Sequence, residues 1–112
     1  MAGIYIHIPY CKKKCIYCDF YFKINADDIH DMISCIKKEL VSRKNYLKSS
    51  RINTIYFGGG TPSILTKQDI KTILKTIYDN YKVSENLEIT LEANPDDLNR
   101  KKIANFFNIG IN

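Results

Sequence analysis

Three cysteines, Cys11, Cys15 and Cys18, stand together in the stretch PYCKKKCIYCDF. Thiolates bind soft metals and iron–sulfur clusters, and a closed structural zinc site takes four ligands. A C-x3-C-x2-C spacing supplies three ligands from one loop. That number suits a 4Fe–4S cluster whose fourth iron stays open to an outside ligand. The alternative is a zinc site completed by His7, although that residue is expected to point off a strand rather than into the loop. A disulfide with one thiol left over is disfavoured in a reducing compartment. Lys12, Lys13 and Lys14 are either a solvated loop or a positive surround that favours thiolates and offsets cluster charge. Cys35 falls off the apolar stripe of its helix and reads as a small semi-buried filler, not a fourth ligand.

Two further stretches carry chemistry. In IYFGGGTP, Gly58, Gly59 and Gly60 allow close backbone approach, which a Cβ would obstruct. A strand-to-helix turn alone would need one glycine or two. In LEITLEANP, Leu87, Ile89 and Leu91 share one side of a strand, and Glu88, Thr90 and Glu92 share the other. If the apolar side faces helices, Glu92 faces the interior as a buried carboxylate that needs partners. A ligand's ammonium or hydroxyl groups would serve, and so would a structural ion pair. As a strand aromatic Tyr5 can simply fill the core, and His7 reads as a satisfied core histidine.

The elements that must position these residues follow from periodicity. Ile4, Ile6 and Ile8 alternate with Tyr5 and His7, a first strand ending at Pro9. Asp27 or Asp28 can cap a helix running to about Leu47, with Ile29, Ile33, Ile36 and Leu40 as its stripe. INTIYFGGGTP is a second strand stopped by glycines. Thr66 caps a second helix that buries Ile70, Ile73, Leu74, Ile77 and Tyr81. LEITLEANP is a third strand, a third helix spans about Asp97 to Asn108, and a fourth strand would begin at GIN. The order βαβαβα predicts an α/β fold with parallel strands and outer helices. Either a partial (β/α) TIM-like barrel or an open doubly wound sheet fits. In both, ligands bind at the C-terminal ends of the strands, where the cysteine loop, the glycine run and EANP all fall.

Composition narrows the partners. The chain has 112 residues and a net charge of +5, with its lysines and arginines scattered. No basic stripe interleaved with aromatics marks a nucleic-acid reader. No apolar run approaches the ~20 residues of a membrane span, and the N-terminus lacks the pattern of a signal peptide. A cytoplasmic setting is expected, where cysteines serve metals or catalysis before disulfides.

IYIHIPYCKKKCIYCDF, with Tyr17 just before the third cysteine, together with IYFGGGTPSIL and LEITLEANPDDL, resembles the radical S-adenosylmethionine superfamily. Within it, these stretches are most similar to the oxygen-independent coproporphyrinogen III oxidase-like group. CDF after the cluster motif resembles the haem chaperone branch, since the oxidases usually carry a further cysteine there. The resemblance covers essentially all of the chain but about a third of a typical member. It implies a partial TIM-like barrel of which residues 1–112 are the N-terminal portion, the C-terminal remainder being absent. It implies a 4Fe–4S cluster on Cys11, Cys15 and Cys18, and S-adenosyl-L-methionine contacted by Tyr5, Tyr17, Gly59, Gly60, Thr61 and Glu92. In the family, an electron from the cluster cleaves a carbon–sulfur bond of that compound. Haem or a porphyrinogen, an electron donor and a haem-acceptor protein are the other partners implied. Oxidative decarboxylation of coproporphyrinogen III is the competing activity, and a structural zinc module the third reading.

Overall fold

The computed structural model describes residues 2–8, 29–47, 50–60, 62, 65–93 and 98–112. Three strands and three helices alternate: β1 (Ala2–Ile8), α1 (Ile29–Ser42), β2 (Ile52–Gly59), α2 (Lys67–Asn80), β3 (Val83–Leu91) and α3 (Arg100–Asn108). The strands form one parallel sheet in the order β1-β2-β3. Each connection therefore steps to the adjacent strand without reversing. A doubly wound sheet reverses its order at a switch point; the described strands do not, which is the barrel-type winding.

Strand alternation decides which face is buried. Ile6 and Ile8 of β1, Ile55 and Phe57 of β2 and Ile89 of β3 pack in one cluster with Ile33, Leu40, Ile73, Ile77 and Phe106 of the helices. All three helices thus cover the same face of the sheet. Full burial of each such side chain contributes about 1.5–3 kcal/mol. The opposite face carries Tyr5, Thr54 and Tyr56, all exposed.

Helix ends are held by side chains. Thr66 caps α2 with a reciprocal capping box: Asp69 N–H donates to Thr66 Oγ1 at 3.1 Å, and Thr66 N–H to Asp69 Oδ2 at 3.0 Å. At the other end, Tyr81 is the C-cap rather than a helical residue, and its hydroxyl donates to Leu40 O of α1 at 2.8 Å. Gly110, at φ 109°, closes α3 with Ile111 N–H donating to Phe106 O at 3.1 Å, the Schellman arrangement that favours glycine.

Three boundaries differ from the sequence expectation. α1 ends at Ser42, not near Leu47, because the following bonds tighten to i→i−3, as in Tyr46 N–H to Arg43 O at 2.9 Å. β3 begins at Val83 rather than Leu87; its first residues pair with Ile52 across a register shift that the alternating pattern does not announce. α3 begins at Arg100, capped by Asn99, whose side chain accepts from Lys102 N–H at 2.8 Å. GIN lies along the outer edge of β3 where a fourth strand was expected: Asn112 N–H donates to Ile89 O at 2.9 Å, and Ile89 N–H to Asn112 Oδ1 at 2.8 Å.

Candidate functional site

The face opposite the helices gathers the candidates at the C-terminal ends of the strands. Register places Tyr5, Tyr56 and Thr90 side by side, and His7 beside Gly58 one step further along. Gly58 has no side chain to fill its place in that row. The rings of Tyr5 and Tyr56 lean over it instead, so that a Cβ there would lie 2.8 Å from both. The two rings stack with centroids 5.8 Å apart and an 18° interplanar angle. Gly58 therefore makes room for two tyrosines of this chain.

Glu92 stands one residue past β3, tied to the ladder by its N–H to Phe57 O at 3.0 Å. Its carboxylate is held at both oxygens: Tyr56 Oη donates to Oε2 at 2.8 Å, and Gly59 N–H to Oε1 at 3.0 Å. Gly59 has φ 108°, a conformation side chains rarely adopt. A Cβ there would lie 2.7 Å from His7 Nδ1 and 2.8 Å from Ile8 O. Next, Gly60 N–H donates to Ile8 O at 2.7 Å, so the glycine run folds across the end of β1. Tyr5 Oη and His7 Nδ1 lie 3.2 Å apart, in a hydrogen bond whose direction the imidazole tautomer sets.

The phenols are electrostatically biased toward O–H. The Glu92 carboxylate that accepts its proton raises the Tyr56 pKa above the ordinary phenol value, with burial, the charge of Glu92 and Tyr5 adding. Burial raises Tyr5, and the charge of Glu92 adds to it. At neutral pH both phenols are donors beside a carboxylate acceptor. An aromatic platform, fixed donors and an oriented carboxylate can bind a ligand carrying ammonium or hydroxyl groups.

Of the residues singled out in the sequence, the fold brings Tyr5, Gly59, Gly60 and Glu92 to this one rim. Cys11, Cys15, Cys18, Tyr17 and Thr61 lie outside the described residues. Among the described residues no group of three or more His, Cys, Asp or Glu is placed to hold a metal ion, so the metal expectation rests on those cysteines. Three expectations are corrected. Glu92 is exposed rather than buried, because the interior face is open here, and the Tyr56 hydroxyl and Gly59 N–H that hold it are neutral donors rather than an ion pair. His7 is exposed on this face rather than a core histidine, since β1 alternation points it away from the helices. Cys35 is exposed rather than semi-buried. It borders a groove of about 450 Å³ between β1 and α1, which Tyr5 and His7 also line but Glu92 does not. Tyr5, 58% exposed, is no core filler.

Tyr56 was missed. Alternation in IYF sets it on the opposite face from Ile55 and Phe57, but only the register with β1 puts it beside Tyr5.

Among the described residues no helix is long and apolar enough to cross a membrane. The chain is 42% identical, over 98% of its length, to the "Heme chaperone HemW" of Buchnera aphidicola subsp. Schizaphis graminum, covering 30% of that protein. It is 35% identical to the protein of the same name in Bacillus subtilis, over 100% of the chain and 30% of the relative. Against "Radical S-adenosyl methionine domain-containing protein 1, mitochondrial" of Danio rerio it is 38% identical, over 99% of the chain and 25% of the relative. The chain thus spans under a third of the length of these relatives. A solved structure of coproporphyrinogen III oxidase (HemN) from Escherichia coli shares its fold, with a TM-score of 0.86 over 98% of this chain and 26% of that one, at 24% identity. The α/β fold read from the sequence, part of a TIM-like barrel, is the fold they share. The family model for the Radical SAM superfamily matches residues 5–112, and the chain belongs to that superfamily.

Proposed function

We propose that residues 1–112 are the N-terminal portion of a radical S-adenosylmethionine core domain that serves a haem chaperone. In this reading Cys11, Cys15 and Cys18 hold a 4Fe–4S cluster. Tyr5, Tyr17, Gly59, Gly60, Thr61 and Glu92 contact S-adenosyl-L-methionine. The cluster, when bound, supplies a chelating iron and an electron for that compound. The chain's own residues bind and orient it: Glu92 offers an acceptor of fixed direction, Tyr5 a flat phenol, and Gly59 and Gly60 a half-buried backbone with no side chains of its own. Haem is the cargo, passed to an acceptor protein, and an electron donor reduces the cluster.

The observation that carries the reading is the Glu92 carboxylate, fixed by Tyr56 and by Gly59 N–H at the strand ends. It brings Gly59 of GGG and Glu92 of EANP together at one point of the rim. The chaperone branch is supported by the likeness to the haem chaperone relatives at 42% and 35% identity. Decarboxylation of coproporphyrinogen III is the second reading. Its support is the likeness to the oxidase structure, which at 24% identity speaks for the fold alone.

Anaerobic reconstitution with iron and sulfide tests the proposal. The parent chain should take up a cluster whose reduced electron paramagnetic resonance signal changes when S-adenosylmethionine is added, and Cys15→Ala should lose it. Tetrahedral zinc, or a cluster signal indifferent to the added compound, would refute the reading. Retention of haem without conversion of coproporphyrinogen III separates the chaperone from the oxidase.

A further inference from the structure

We propose that Tyr56 is the positioning residue of this face: one side chain that fixes both the Glu92 carboxylate and the Tyr5 ring for a bound S-adenosylmethionine. The inference rests on the function proposed above and adds a residue that neither the motifs nor the comparisons single out.

Tyr56 is the one described residue that contacts both partners by different means. Its hydroxyl donates to Glu92 Oε2 at 2.8 Å, and its ring stacks on Tyr5 at 5.8 Å between centroids. Without it, Glu92 keeps Gly59 N–H at 3.0 Å on Oε1. One hydrogen bond leaves a carboxylate free to rotate about its terminal torsion, a broad two-fold well. Two donors on different oxygens, a side-chain hydroxyl and a backbone N–H of β2, remove that freedom. The side chain is exposed, and the carboxylate has lone-pair capacity beyond these two bonds. What Tyr56 stabilises is therefore an acceptor whose direction is set before the ligand arrives.

The stacking has a parallel consequence. Gly58 permits the Tyr5 and Tyr56 rings to meet where a Cβ would stand 2.8 Å from each. An exposed tyrosine alone samples several rotamers, and ordering it on binding costs affinity. Packed against Tyr56, Tyr5 has part of that cost removed in advance. Tyr56 thus acts through two neighbours and need not touch the ligand itself.

A double-mutant cycle on the anaerobically reconstituted chain tests this, with S-adenosylmethionine binding read by equilibrium dialysis. Tyr56→Phe removes the hydroxyl, keeps the ring, and should weaken binding about 5- to 10-fold, the value of one such hydrogen bond. In a Glu92→Gln background the same change should have little further effect, because residues that act through one another are not additive. Equal binding by the parent and Tyr56→Phe, or effects that simply multiply, would overturn the inference and leave the proposed function standing. Absence of binding by the parent would overturn both.

A second measurement needs neither cluster nor ligand. Tyrosinate absorbance at 295 nm should show Tyr56, like Tyr5, Tyr78 and Tyr81, ionising late in the parent. Tyr56 should ionise earlier in Glu92→Gln. A titration that Glu92→Gln leaves unchanged would mean the contact is absent, and would sink the inference whatever the dialysis shows.

Discussion

Gly58 and Gly59 are adjacent in sequence and should respond very differently to a single methyl group. At Gly58 a Cβ would meet Tyr5 Cε2 and Tyr56 Cε1 at 2.8 Å, and Tyr5 Oη at 2.9 Å. All three are far ends of side chains that are free to swing toward solvent. The loss is the stacked-ring geometry, about 0.5–1.5 kcal/mol. It is offset by about 0.4–1 kcal/mol because alanine restricts the unfolded chain. Gly58→Ala should therefore cost about 0–1 kcal/mol. At Gly59 the added Cβ would meet Ile8 O at 2.8 Å, a backbone atom already bound by Gly60 N–H at 2.7 Å. The φ of 108° adds its own strain, about 1–3 kcal/mol for a residue with a side chain. Gly59→Ala should cost about 2–4 kcal/mol, a large share of the 5–15 kcal/mol typical of a folded domain. With a urea slope of about 1–2 kcal/mol/M for a small domain, its midpoint should fall by about 1–4 M, and that of Gly58→Ala by no more than about 1 M. Urea unfolding followed by far-ultraviolet circular dichroism reads both. Near-ultraviolet dichroism should change in Gly58→Ala as the tyrosine rings part. Equal losses in the two variants, or a neutral Gly59→Ala, would refute this account of the turn.

Thr66→Ala removes the acceptor of the α2 capping box and should cost about 1 kcal/mol in urea unfolding; an unchanged midpoint would argue against the box. Tyr81→Phe deletes the bond to Leu40 O that ties the end of α2 to α1 and should cost about 0.5–1.5 kcal/mol, whereas Tyr46→Phe, at a ring 77% exposed, should cost nothing measurable. The phenols of Tyr5, Tyr56, Tyr78 and Tyr81 are all raised above 10.0 in the folded chain. The folded state keeps protons that the unfolded chain releases, so their contribution is fully present below pH ~10 and is lost as pH rises through the folded values. From these phenols no change in midpoint is expected between pH 7 and 9, and a fall should set in above about pH 10 that is shallower in Glu92→Gln.

Much of this architecture was legible because apolar spacing and burial coincide. Ile4, Ile6 and Ile8 announced β1, and Ile70, Ile73, Leu74 and Ile77 announced the buried face of α2. The boundaries that failed did so where local signals were degenerate. Asp96, Asp97 and Asn99 are all cap-type residues, and the one that caps α3 is decided by where the chain leaves β3. Val83–Asn86 shows no alternation and becomes strand because it lies beside β2, a tertiary cause. Leu47 continues the apolar spacing of α1 yet packs against the core from a turn. At the site, Glu92 and Gly59 were legible as oddities, an acid and a glycine where a plain strand end needs neither. Tyr56 was not, because an aromatic inside a β-branched run reads as ordinary strand until the neighbouring strand's register is known.

The two faces of the sheet divide the work between folding and binding. On the helix side, Ile8, Ile55, Phe57, Ile73 and Ile77 are all 0% exposed, so that layer supplies the apolar burial. On the other side the residues are tyrosines, a histidine and a carboxylate, each able to stand in water without a core around it. Neutral donors matter here. A lysine paired with Glu92 would orient it and at the same time cancel its charge and occupy its lone pairs. The Tyr56 hydroxyl and the Gly59 N–H orient it, leave its charge uncancelled and leave lone-pair capacity beyond their two bonds. The arrangement found costs nothing in the core and keeps the charge at the rim, which is the property the proposed ligand-binding role of Glu92 requires.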